Sequence, residues 1–230
     1  MIGVEALLRW KHPVHGGIPP SVFIPIAEEA GLIHAVGDWV LREACRTAVR
    51  WPLDHIAVNV SAVQFRSQHF AARVLDIVRA SGMSPTKLEL EVTESVLLDS
   101  TELSALTLAA LRAEGIRIAL DDFGIGYSSL TYLRKYPVDK IKIDRSFVQN
   151  LGSDAASDAI VEAIVNLARA LGVEVTAEGV ETEEQRDTLI RIGCDELQGF
   201  LLSPALSSEE LDERLGVERT ADEGAVASAA

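Results

Sequence analysis

Short β-branched and apolar runs recur along this chain, and a longer segment of helical periodicity follows most of them. That alternation confines the fold to a largely parallel sheet built from βα units. Strands are expected at residues 4–8, 56–60, 88–92, 117–120, 140–143, 174–177 and 196–198, and helices at 21–30, 33–49, 70–80, 102–114, 155–171 and 183–192. Gly82, Gly115, Gly172 and Gly193 stand where helix C-caps belong. No polar linker splits the series, so one domain is expected over residues 1–216. Residues 217–230, small, charged and aperiodic, read as a tail or linker.

Two architectures satisfy such an alternation, a closed barrel and an open doubly wound sheet. The placement of polar residues favours the barrel. Glu5, Asn59, Glu91, Asp121, Lys142, Glu178 and Gln198 each fall at or near the C-terminal end of an expected strand. In a TIM-type β/α barrel those ends form one rim around one pocket, whereas an open sheet spreads them along an edge. Seven strands are one short of eight, and the first residues read as a strand already under way. The expectation is therefore an incomplete TIM-type β/α barrel lacking its first strand.

The 230 residues carry 35 acidic against 21 basic side chains, a net charge of −14, which argues against a nucleic-acid polymer as partner. No apolar run approaches the roughly 18 residues of a membrane span. Cys45 and Cys194 are too few for a disulfide framework and read as buried thiols, which fits a reducing cytoplasm.

The rim concentrates six carboxylates, Glu5, Glu91, Asp121, Asp122, Asp144 and Glu178. Two like charges ~4 Å apart cost about 4 kcal/mol at an effective dielectric of about 20, so pKa values must rise or divalent cations must enter. An all-oxygen donor set with Asn59 as a neutral ligand suits Mg²⁺ or Mn²⁺ rather than Zn²⁺. Asp121 and Asp122 are adjacent and point opposite ways in an extended strand, but at a strand-to-loop turn both reach the mouth, which makes two metals plausible. Such a pair activates water and neutralises phosphate oxygens, so phosphate-ester hydrolysis is the leading chemistry. Lys142 shares one strand face with Lys140 and Asp144 and is placed to orient that water; Glu178 is a candidate general base and Arg9 a phosphate clamp.

Simpler readings stand beside these. Taken singly, Glu5 is an exposed strand acid, Asp121-Asp122 a solvated turn, Lys142 a surface lysine, and Glu178 and Gln198 ordinary loop residues. Gly124 and Gly126, with Asp144 twenty residues beyond Gly124, imitate a dinucleotide fingerprint. Ser129 occupies the third glycine position, however, and two aspartates would repel a pyrophosphate. His12 and His15 flank Pro13 in an expected loop with no cysteine nearby, which suggests exposed histidines rather than a zinc site. A glycosidase needs two carboxylates, fewer than are gathered here.

The ordered series EALLRWKHPVHGGIPPSVFIPIAEEAGLI, Asn59-Val60-Ser61, Glu91-Val92-Thr93-Glu94, DDFGIGYSSL from Asp121, KIKIDRSFV from Lys140, AEGVET from Ala177 and QGFLLS from Gln198 resembles the EAL domain, the bacterial phosphodiesterase module for cyclic di-GMP. The resemblance runs from Gly3 to about residue 206. It implies a β/α barrel that hydrolyses cyclic di-GMP to linear pGpG with Mg²⁺ or Mn²⁺. By the same resemblance Glu5, Asn59, Glu91 and Asp121 bind one metal, and Asp122 and Asp144 belong to a second. Lys142 contacts the catalytic water, Glu178 assists as base or ligand, and Gln198 lies near water and substrate. Arg9 meets the substrate phosphate, and Glu94 anchors the loop beginning at Asp122, a loop that couples dimerisation to metal binding in such proteins. A homodimer, an upstream sensor or GGDEF domain and a cytoplasmic location, including the cytoplasmic part of a membrane-anchored protein, are further implications. Three departures stand out: the family's first helix and strand with a Tyr-Gln-Pro motif are absent, Ile125 replaces Thr or Ala, and Ser203-Pro204-Ala205 replaces Ser-Arg-Pro. Because the implied ligands are all present, hydrolysis is expected over the alternative, a receptor that binds cyclic di-GMP or a protein partner without turnover.

Overall fold

The computed structural model describes residues 1–98, 102–124, 133 and 136–217. Seven strands make one parallel sheet: β1 (Gly3–Ala6), β4 (His55–Asn59), β5 (Leu88–Thr93), β6 (Arg117–Phe123), β7 (Lys140–Ile143), β8 (Glu174–Ala177) and β9 (Glu196–Leu197), in that spatial order. The connections carry helices, among them α1 (Pro20–Glu29), α2 (Ile33–Ala48), α3 (Ala62–Phe65), α4 (Phe70–Ser81), α5 (Glu94–Leu98), α6 (Glu102–Ala113), α7 (Arg145–Gln149), α8 (Ala155–Leu171), α9 (Glu183–Ile192) and α10 (Ser208–Leu215). The sheet curls as the incomplete β/α barrel anticipated, with β1 and β9 at its two edges. Every expected strand and long helix forms, with ends shifted by three residues at most.

Outside the end of β6, strand residues alternate between two faces. Outward positions such as Val58, Leu88, Leu90, Val92, Ile118, Leu120, Ile141, Ile143 and Val175 are apolar and buried under the helices. The helices answer with apolar stripes at the 3.6-residue period, for example Val161, Ile164, Val165 and Ala168 on α8. Burying each such side chain contributes roughly 1.5–3 kcal/mol, so the stability of the fold lies in this outer shell.

Inward positions are largely polar, and they form an ionic layer near the N-terminal ends of the strands. Lys140 Nζ donates to Glu89 Oε1 at 3.0 Å and to Glu196 Oε2 at 2.6 Å, while Arg117 contacts Glu174 and lies 3.3 Å from Glu89 Oε2. The buried His55 ring stands 3.5 Å from Lys140 Nζ; burial, reinforced by the Lys140 charge, lowers its pKa. A Cβ on Gly3 would lie 2.3 Å from His55 Nε2, so glycine is required where β1 crosses that ring.

Three features differ from the expectations. The segment holding His12 and His15 is not simply a loop: β2 (Trp10–His12) and β3 (Gly16–Ile18) form an antiparallel hairpin. His12 is half-buried, and its Nδ1 accepts the Val14 and His15 amides at 3.1 and 3.2 Å and thereby caps the turn. Cys194 is half-buried rather than buried, although burial pushes its thiol up to about 12. The helix α10 was not anticipated, and Ser207 and Glu210 close it with a capping box. Of the expected tail, residues 218–230 lie outside the described residues, as do Ile125 and most of the loop after Gly124.

Asp212 fixes α10 to the barrel. Its carboxylate accepts Arg50 Nε and Nη2 at 3.0 and 2.9 Å and Trp51 Nε1 at 2.6 Å, and only 2 % of the residue is exposed. Asp212→Ala strands a partly buried guanidinium and an indole donor, and should cost about 3 kcal/mol of stability. Urea unfolding monitored by circular dichroism measures this, and a loss below about 1 kcal/mol would deny α10 its structural role.

Candidate active site

Lys142 stands two residues beyond Lys140 on β7 and occupies the upper end of the same interior. Its Nζ is 2.5 Å from Glu91 Oε1, 2.6 Å from Glu178 Oε1, 3.6 Å from Asp121 Oδ1 and 3.8 Å from Glu5 Oε2. The residue is 2 % exposed. Four strand ends thus converge on one ammonium, which brings four of the six rim acids together. Glu5 is clasped from both sides: Asn59 Nδ2 donates to Oε1 at 2.6 Å and Gln198 Nε2 to Oε2 at 2.7 Å.

One cation cannot neutralise four carboxylates, and the pKa shifts record the mismatch. Burial lifts Glu91 well above the ordinary carboxylate range despite Lys142, with repulsion from Glu5 and Asp121 adding to it. Burial likewise pushes Glu178 up to about 7, with Lys142 opposing. For Glu5 burial is outweighed by Lys142 and the bonds from Gln198 and Asn59, so its pKa falls. The Lys142 pKa rises because the surrounding carboxylates, Glu91 first, overcome the effect of burial.

Asp121 and Asp122 reach one rim by a local departure from strand geometry. The β6–β7 register shifts between Leu120 and Phe123, placing an extra residue in β6, and Asp122 takes a left-handed φ of 55°. A bulge with one αL residue cancels the alternation that would send adjacent side chains to opposite faces, and aspartate tolerates that conformation better than most residues. Partial desolvation, then the Asp121 and Asp144 charges, raise the Asp122 pKa. Asp144 caps α7 by accepting the Ser146 amide at 2.8 Å, and Glu94 Oε1 accepts the Gly124 amide at 3.1 Å at the root of the loop after Asp122. Arg9 is exposed and donates to the Leu8 carbonyl at 3.1 Å.

Sequence reasoning did not single out Glu28 and Ser61. Ser61 follows Asn59 by two residues, caps α3 in a capping box with Gln64, and donates its hydroxyl to Glu28 on α1. The Ser-x-x-Gln spacing was the available signal.

As placed, the acids surround Lys142: among the described residues no three His, Cys, Asp or Glu side chains are arranged to hold a metal ion. The donor set itself fits a hard divalent cation. Glu91 Oε2 and Asp121 Oδ1 are buried without a hydrogen-bond donor, and no histidine or cysteine competes with the oxygens.

A family model described as the EAL domain matches residues 1–205. The bifunctional diguanylate cyclase/cyclic di-GMP phosphodiesterase MucR of Pseudomonas aeruginosa is 48 % identical over 217 residues, covering 92 % of this chain and 32 % of that protein. A cyclic di-GMP phosphodiesterase of the same organism is 39 % identical over 217 residues, covering 93 % of this chain and 37 % of the relative. The chain therefore spans about a third of the length of these relatives. Among solved structures, the PaMucR phosphodiesterase in its c-di-GMP complex superposes with a TM-score of 0.87 at 48 % identity, covering 92 % of this chain and 87 % of that one. The Klebsiella pneumoniae BlrP1 manganese/cy-diGMP complex gives 0.71 at 33 % identity, with coverages of 81 % and 48 %.

Replacing the central ammonium by a neutral side chain of similar length isolates its contribution. In EDTA, Lys142→Met should lose roughly 3–5 kcal/mol, because four carboxylates lose their buried counter-charge. Urea titration of the two proteins checks this, and equal midpoints would contradict it.

Proposed function

The chain belongs to the EAL domain family, and from that premise we propose that it hydrolyses cyclic di-GMP to linear pGpG using two divalent cations, Mg²⁺ or Mn²⁺. The observation that carries this reading is the Lys142-centred acid cluster at the C-terminal rim, with its buried carboxylate oxygens that lack donors. An acidic protein can hold a bis-phosphate ring only if its mouth carries cations, and these donors suit such cations.

Glu5, Asn59, Glu91 and Asp121 would hold one cation, and Asp122 and Asp144 would contribute to the second. When bound, the cations supply an activated water and neutralise the phosphoryl oxygens. The protein's own groups do the remaining work. Glu178, with a pKa near 7, takes a proton from the attacking water at neutral pH. Lys142 fixes the Glu178 carboxylate from 2.6 Å and offsets charge developing on the phosphoryl group. Water attacks phosphorus, one P–O ester bond breaks, and the departing oxygen takes up a proton from solvent to leave as a hydroxyl, while Glu178 later returns its own proton to solvent. Gln198 orients the substrate side of Glu5, Arg9 clamps a phosphate, and Glu94 anchors the loop beginning at Asp122. That loop couples a homodimer to the site. The full-length protein carries an upstream sensor or GGDEF domain and works in the cytoplasm; among the described residues no helix is long and apolar enough to cross a membrane.

Purified protein incubated with cyclic di-GMP and Mg²⁺ or Mn²⁺ should yield pGpG by liquid chromatography, and EDTA should abolish the product. Glu178→Gln should lower kcat by about 10²–10⁴-fold, the usual range for a lost general base. Binding of cyclic di-GMP without product under both metals would reassign the domain as a receptor.

A further inference from the structure

The stretch from Leu8 to Leu32 connects β1 to α2 and carries the β2–β3 hairpin and α1. Its two strands pair only with each other. Among the described residues no backbone hydrogen bond joins this stretch to any strand of the main sheet. Buried Phe23 and Ala27 seat α1 on the body of the protein, and Trp10 meets the Phe23 ring edge-on at 5.7 Å, so the placement of the hairpin follows that of α1.

Among the described residues one side-chain hydrogen bond leaves the stretch: Glu28, half-buried on α1, accepts the Ser61 hydroxyl. Ser61 is a firm anchor. Its Oγ accepts the Val63 amide at 3.1 Å, and its own amide donates at 3.3 Å to Oε1 of Gln64, which is 3 % exposed. A Cβ on Gly37 of α2 would lie 1.7 Å from Gln64 Nε2, so α2 closes tightly over that side chain. Ser61 also stands two residues beyond Asn59, the partner of Glu5. Apolar packing sets how far α1 lies from its neighbours but tolerates sliding, whereas a hydrogen bond to a fixed hydroxyl sets its position along its axis.

Arg9 lies at the start of this stretch. It is exposed, and its guanidinium donates only to the adjacent Leu8 carbonyl among the described residues, so its place over the mouth is set by the placement of the hairpin. We propose that Glu28 is a positioning residue: by taking the Ser61 hydroxyl it latches the β1–α2 connection onto the end of β4, and so sets where Arg9 meets a phosphate. The kinetic part rests on the phosphodiesterase reading; the latch does not. Glu28 touches no reacting atom and acts through Arg9. Its neighbour Glu29 is exposed and makes no such bond, which provides a control of equal charge.

A double-variant cycle tests this. Glu28→Ala should lower kcat/KM for cyclic di-GMP about tenfold, as expected of a side chain displaced by a fraction of an ångström. Glu28→Gln, which keeps an acceptor for Ser61, should recover most of that loss, and Glu29→Ala should leave kcat/KM unchanged. In the Arg9→Ala background Glu28→Ala should add nothing, because the residue it positions is gone. Hydrogen exchange supplies a readout independent of activity: in Glu28→Ala the peptides of α1 and the hairpin should exchange faster while β5 peptides keep wild-type rates. Losses that multiply in the double variant, wild-type kinetics in Glu28→Ala, an equal loss in Glu29→Ala, or exchange that quickens equally in α1 and β5 would overturn the proposal. If the wild-type protein itself gives no pGpG, the phosphodiesterase reading fails, and the exchange comparison alone decides whether Glu28 is the latch.

Discussion

The ammonium of Lys142 among Glu5, Glu91, Asp121 and Glu178 is the contact around which the rest of the molecule is arranged. Those carboxylates come from strands or strand ends as far apart in sequence as β1 and β8, and each would repel the others if brought together alone. A buried cation allows that convergence without removing the negative excess, and the excess is what a divalent cation can use. The raised pKa values of Glu91 and Glu178 express the same surplus in protonation, so the pocket has two ways to discharge it.

Much of this was legible in the sequence, because strand parity is a local property. Lys140, Lys142 and Asp144 share a face by spacing alone, and a polar residue closing each strand implied a common mouth. The paired use of Asp121 and Asp122 was legible only as a possibility at a turn; the bulge and the positive φ at Asp122 that realise it depend on pairing with β7, which no local pattern encodes. The lower layer was largely invisible for a related reason. His55, Glu89 and Glu196 read as ordinary polar residues on short strands, and they become interior only because the sheet curls. The hairpin of β2 and β3 has no sequence signature because three-residue strands give no period to count, whereas the Ser207–Glu210 capping box is a local signal for α10 that the sequence does carry.

Glu5 is the residue on which the mouth is ordered from two directions. Gln198, one residue past β9, donates to its Oε2, and Asn59 at the end of β4 donates to its Oε1. All three residues belong to the proposed chemistry, so the hydrogen bonds that orient the Glu5 carboxylate also order the rim of the site.

Interior positions of such barrels are commonly filled by branched apolar residues, and two ionic layers here are a costly substitute. Buried ion pairs give little net stability against apolar isosteres, so stability cannot be the reason for the lower one. The outer shell of Leu88, Leu90, Ile118, Ile141 and their helical partners already meets that need. What an apolar layer cannot provide is direction: packed methyl groups tolerate small rotations of a strand, whereas Lys140 meets Glu89 and Glu196 only within a narrow range of distance and angle.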